Sequence, residues 1–157
     1  MREVAHAPSR TTVWLSFLLS LVGLAISIYL TIAHYAGTSV LACSDKGIVN
    51  CATVTTSAQS HFLGMPVSVL GLAFYAGMTV LMSPPVWRIP SWWLSALRGL
   101  GAVTGLAMIL WLIAAEILII DHICLWCTGV HVVTFLLAIV LSRVLPSQLA
   151  RDDSATA

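Results

Sequence analysis

Four cysteines in two close pairs carry the chemistry that can be read from this chain. Cys124 and Cys127 lie in the run His122-Ile123-Cys124-Leu125-Trp126-Cys127, and Cys43 and Cys51 enclose seven residues, Ser44 to Asn50. Two thiols three positions apart on a helix share a face, and a disulfide between them forms and opens with little backbone movement. At the head of a helix they also meet unpaired N–H groups and the positive end of the helix dipole, both of which favour thiolate. Such a pair is a redox switch. Four thiols permit three pairings, and spacing does not choose among them. Cys43 and Cys51 read either as a staple across a small loop or as a mobile dithiol that collects electrons and passes them on by thiol exchange. A zinc site with His61 or His122 is set aside, because a seven-residue gap departs from the spacing of zinc knuckles.

These thiols must be positioned by helices in a bilayer. With 59% of residues apolar and 8% charged, the chain has too few polar side chains to cover a solvated surface. A formal charge of +1 leaves no basic patch, so nucleic acid is excluded as a partner. Apolar segments at about residues 13–35, 66–83, 99–120 and 123–145 predict an all-α integral membrane protein, a four-transmembrane-helix bundle. The first is too long for the apolar core of a signal peptide. Residues 36–65 turn polar and read as a long loop between helices 1 and 2, in which Thr56 or Ser57 would cap a short helix. Pro66 fits the first turn of the second span, Pro84-Pro85 ends it, and Trp87, Trp92 and Trp93 suit an interfacial belt. Residues 1–12 and 146–157 read as polar tails, the second expected to fray.

Basic residues orient the bundle. Arg2, Arg10, Arg88, Arg98, Arg143 and Arg151 fall on one side and Lys46 on the other. Both termini are therefore expected in the cytoplasm of a multi-pass cell-membrane protein. All four cysteines then lie on the extracytoplasmic side, where disulfides persist. Beyond Cys127 the helix carries His131 and Thr134, so positions 124, 127, 131 and 134 form a polar stripe expected to line a pocket in the bundle. Glu116, one turn from the outer end of the third span, is costly in lipid and is expected to face the bundle or the mouth of that site.

Joined together, Cys43-x7-Cys51, Ser57 six residues on, Gly64-Met65-Pro66-Val67-Ser68-Val69-Leu70-Gly71 at the second span and Cys124-Leu125-Trp126-Cys127 at the fourth resemble the vitamin K epoxide reductase family. The likeness is to its bacterial disulfide-forming members and covers about residues 13–145. It implies a quinone, menaquinone or ubiquinone, held close to Cys127 and drawn from the membrane pool. It implies that Cys124 takes electrons from the loop pair through a disulfide with Cys51, and that Cys43 meets an extracytoplasmic thioredoxin-like partner. Ser57 would shape or hydrogen-bond the quinone region. His131 stands where vertebrate members have a tyrosine that hydrogen-bonds the quinone carbonyl. Val67 replaces an asparagine of the vertebrate members, which counts against epoxide reduction. Many bacterial relatives carry a fused thioredoxin-like domain, whereas here a separate redox partner is expected. The expected activity is thiol oxidation coupled to quinone reduction. Thiol-driven quinone or quinone-epoxide reduction by the same residues, and a non-catalytic membrane subunit with structural disulfides, are the competing readings.

Overall fold

The computed structural model describes residues 8–43 and 47–156, without the side chains of Thr38 and of residues 151–156. The chain runs as α1 (Arg10–Ala36), α2 (Cys51–Thr56), a hairpin of β1 (His61–Phe62) and β2 (Met65–Pro66), and α3 (Val67–Met82). There follow α4 (Pro84–Trp87), α5 (Trp92–Ala115), a π-helical turn at Glu116–Ile120 and α6 (Leu125–Thr156). The short antiparallel hairpin, with Leu63 and Gly64 at positive φ in its turn, interrupts an otherwise mostly helical chain.

Helix α1 starts where the Ser9 hydroxyl accepts the Thr12 N–H at 3.1 Å and stops at Gly37, whose φ of 100° disfavours any residue with a Cβ. Three helices are long and apolar enough to cross a membrane: α1, α5 with its π turn, and α6 to Ala150. Expected as a span over 66–83, α3 has 16 residues. At 1.5 Å per residue it rises about 24 Å, short of a hydrocarbon core of about 30 Å.

α1 packs chiefly on α3 and α6, and α5 on α6. The contact face of α1 is a stripe of small residues, Ser16, Ser20, Gly23 and Ser27, which lets another helix approach closely. The Ser16 and Ser20 hydroxyls donate to the Val13 and Ser16 carbonyls at 3.0 and 2.9 Å, so neither is buried unpaired. Outward faces carry Leu18, Ile32, Leu110 and Leu118, a surface suited to lipid. One end of the bundle is closed by Met78, Met82, Trp87, Leu137 and Leu141, the other by Cys51, Val54 and Cys124.

Local competition moved several elements from their expected places. The α-helix of the loop ends at Thr56, its N-cap being Asn50, whose Oδ1 accepts the Thr53 N–H at 3.0 Å. Ser57 does precede a short 3-10 turn, Ala58–Ser60, at its N-cap position but without a side-chain cap bond. Pro66 is the last strand residue before α3, not part of its first turn. Trp87 leaves the belt: it is 3% exposed beneath the Arg98 guanidinium, which lies 4.1 Å from the ring centroid. Arg98 also donates to the carbonyls of Leu81 and Val86 at 3.1 and 3.2 Å, the first left without its helical donor because Pro85, four residues on, has no N–H. The third long helix begins at Trp92 and carries Trp92 and Trp93, exposed and stacked 3.9 Å apart, within its first turn. α6 runs on through Pro146 to Thr156 where a frayed tail is expected, with Gln148 buried. Residues 1–7, including Arg2, and Lys46 lie outside the described residues, as does the Arg151 side chain.

Candidate active site

The polar loop reaches the head of α6 through its backbone. Ile123 donates its N–H to the Ile48 carbonyl at 2.8 Å and accepts the Asn50 N–H at 3.1 Å, so Val49 and Ile123 pair as a parallel bridge. Cys51, the next residue and the first of α2, is thereby brought to Cys124. The two are 1% and 0% exposed and share a cluster with Val54. Cys43 and Cys51 form a disulfide, while Cys124 and Cys127 are free thiols.

Cys124 stands just before α6, and its sulfur accepts the backbone N–H of Cys127 at 3.2 Å. An N-terminal amide aimed at sulfur favours thiolate. Both motif thiols belong to the cluster around Cys51, but only Cys127 also lies on the wall of a cavity of about 740 Å³. Of the expected stripe, Cys127, His131 and Thr134 line this cavity and Cys124 does not. Its position before the helix turns it toward the loop.

The surface of the cavity wall is mostly apolar, with Ser57 and Glu116 among the polar side chains that line it. The Ser57 hydroxyl donates to the Val54 carbonyl at 2.8 Å, which fixes its place at the end of α2. Glu116 is 6% exposed and opens the π turn, where its carboxylate meets the backbone N–H of Cys124. An inserted residue in a π turn re-aims the side chains that follow it. His131 is buried on the same wall. His61 is not on the wall, though its ring lies 5.5 Å from that of His34, which is, and His122 bonds the Ile120 carbonyl at 2.8 Å.

Sequence reasoning missed three residues here. Tyr75 is buried on the cavity wall and its hydroxyl lies 2.7 Å from Thr134 Oγ1, which itself donates to the Val130 carbonyl at 2.8 Å. Ser68 Oγ, on a wall residue of α3, is buried with no hydrogen-bond partner among the described residues. Gly23 gives Tyr75 its room, since a Cβ there would fall inside the ring. A hydroxyl within an apolar span was a usable signal for Tyr75 and Ser68. Gly23 carried none, because its role depends on the facing helix.

Membrane-length apolar helices around a cavity, a free thiol on its wall and a disulfide behind that thiol define a membrane protein with a thiol redox site. The family model described as the vitamin K epoxide reductase family matches residues 14–142, and the chain belongs to that family. No curated protein matches it individually. The family carries out membrane thiol and quinone redox chemistry, and the Cys43–Cys51 disulfide beside Cys124 and Cys127 fits that chemistry.

Proposed function

We propose that this protein is a membrane thiol:quinone oxidoreductase. It reoxidises an extracytoplasmic thioredoxin-like protein and passes the electrons through Cys43/Cys51 and then Cys124/Cys127 to a quinone, supporting disulfide formation outside the cytoplasm. The observation that carries this reading is the serial order of sulfurs: loop disulfide, then buried Cys124, then Cys127 on the cavity wall. In this reading α3 is the fourth crossing, its short apolar length met by flanking residues or local thinning of the bilayer. Both termini then share the cytoplasmic side.

Each transfer exchanges one sulfur–sulfur bond for another. Cys43 is partly exposed and Cys51 is not, so a partner thiolate attacks Cys43 and opens the loop disulfide. The partner's second thiol then displaces Cys43, leaving the partner oxidised and the loop pair as two thiols. Cys51 next attacks Cys124 of an oxidised motif, forming Cys51–Cys124 and releasing Cys127 as thiolate. Cys43 closes on Cys51, expelling Cys124. The product has a loop disulfide and two free motif thiols, the arrangement found in the structure. A bound quinone supplies the terminal acceptor, taking two electrons and two protons as Cys124–Cys127 re-forms.

The cavity fits such a group. Its size and apolar wall suit a ring with a hydrocarbon tail, and Cys127 supplies the reacting thiol. His131 and the Ser68 hydroxyl are the side chains that would hold a carbonyl, while Ser57, whose hydroxyl is given to Val54, shapes the wall. Glu116 is placed to take or return a proton between the motif and the cavity. Val67 on the same wall offers no hydrogen bond, so epoxide reduction is not part of the proposal.

Anaerobic reduction of added quinone, followed by absorbance, tests the order of the relay. Cys43→Ser is expected to lose turnover with a reduced thioredoxin-like donor and to keep it with a small dithiol that reaches the motif pair directly. Equal rates for wild type and Cys43→Ser with the protein donor would sink the assignment of the loop pair.

A further inference from the structure

The segment that carries the acceptor sulfur also holds both flanks of the loop disulfide. On the Cys51 side the hold is the backbone pairing of Ile123 with Ile48 and Asn50. On the Cys43 side it is made by two aromatic side chains. Tyr29, from α1, donates its hydroxyl to the Val40 carbonyl and accepts the Ala42 N–H, both at 2.8 Å. Trp126, between the motif cysteines, donates its indole N–H to the Ala42 carbonyl at 3.2 Å. The two rings lie 4.7 Å apart, and Leu41 between the gripped residues packs into the cluster of Cys51 and Cys124. Three hydrogen bonds thus fix the backbone immediately before Cys43.

We propose that Tyr29 and Trp126 are positioning residues for Cys43: they keep its thiol within reach of Cys51 while Cys51 is joined to Cys124, so that the mixed disulfide is resolved within the chain. The inference rests on the relay proposed above and assigns its second step a device. In that step the Cys43 thiolate attacks Cys51 sulfur. The Cys51–Cys124 bond breaks, the Cys43–Cys51 bond forms, and Cys124 leaves as thiolate. The loop pair is oxidised by two electrons and the motif pair holds them.

Once the loop disulfide has opened, nothing covalent keeps Cys43 near Cys51 except the seven-residue segment between them. A thiol on a flexible tether has an effective concentration of order mM, whereas an oriented one reaches values higher by many powers of ten. Anchoring Ala42, the adjacent residue, reduces the search of Cys43 largely to rotation of its own side chain. Thiol exchange needs an approach along the sulfur–sulfur axis, so this restriction acts directly on the rate.

The test uses the full chain in lipid nanodiscs, as wild type, Tyr29→Phe and Trp126→Phe, which keep a ring and remove the hydrogen bonds. During turnover with a reduced thioredoxin-like donor, acid quenching, alkylation and peptide mass mapping give the fraction present as Cys51–Cys124. In the absence of quinone, the same mapping gives the equilibrium of Cys43–Cys51 against glutathione. The variants are expected to accumulate the mixed disulfide, to turn over about tenfold more slowly with the protein donor, and to show an equilibrium about tenfold weaker against glutathione. Quinone reduction by a small dithiol should hold at the wild-type rate. Wild-type levels of mixed disulfide and an unchanged glutathione equilibrium in both variants would overturn the proposal. So would an equal loss with both donors, which marks a purely structural role. Failure of wild type itself to reduce quinone from the donor would instead defeat the relay, and the glutathione equilibrium would still decide whether the grip positions Cys43.

Discussion

Cys127→Ser is expected to abolish quinone reduction with every electron donor, a loss on the order of 10³-fold or more. Cys127 is the motif thiol on the cavity wall, while Cys124 is sealed behind it against the loop. Serine keeps the size and the helix, so packing around the head of α6 should survive. What it cannot do is form a disulfide or present a thiolate. The substitution therefore cuts the path at the last protein atom, downstream of any donor. This separates it from Cys43→Ser, which removes only the entry from a protein partner. The measurement is the anaerobic quinone assay with protein and small-dithiol donors side by side. A rate within tenfold of wild type for Cys127→Ser would place the electron exit elsewhere and leave the motif without its proposed role.

Gly23→Ala is expected to lower stability and to weaken quinone binding together. An added Cβ would enter the Tyr75 ring, which is almost fully buried and bonded through its hydroxyl to Thr134. Either α1 withdraws from α3 or the ring swings into the cavity. Overpacking of this kind costs about 1–3 kcal/mol, and a lost buried hydrogen bond adds about 1 kcal/mol. The expected signs are a melting temperature lower by several degrees in lipid nanodiscs and a KM for quinone raised severalfold. Because the atoms nearest the added Cβ all belong to Tyr75, Tyr75→Ala added to Gly23→Ala should recover part of the lost stability, a coupling that a double-mutant cycle reads directly. An unchanged melting temperature and KM in Gly23→Ala would show that the α1–α3 contact yields easily and that Tyr75 does not shape the cavity.

Trp87 and Asn50 show where sequence reading stops. A tryptophan beside Pro84-Pro85 has the composition of an interfacial belt, and only the return of Arg98 from the next helix, stacked over its ring, takes it into the core. Thr56 and Ser57 have the chemistry of N-caps, as does Asn50. Asn50 prevails because the bridge to Ile123 fixes the chain just before it, and the helix starts at Cys51. In both places residues competed locally on nearly equal terms, and a distant contact decided.

By itself, the sequence determined the chemistry and the solvent. Transfer of apolar side chains to lipid depends on composition over some twenty residues, and the character of Cys124-Leu125-Trp126-Cys127 depends on spacing within one helical turn, so both are local properties. The membrane setting, the close pair of motif thiols and the kinship with the vitamin K epoxide reductase family were legible for that reason. The resemblance already implied that Cys51 meets Cys124 and that Cys127 faces the quinone. The tertiary structure brings Cys51 against Cys124, puts Cys127 but not Cys124 on the cavity wall, and alone shows Tyr75 fitted against Gly23. Those pairings join residues about 50 to 70 positions apart. Their energy comes from packing and hydrogen bonds that exist only once the helices have met, and no window of sequence contains both partners.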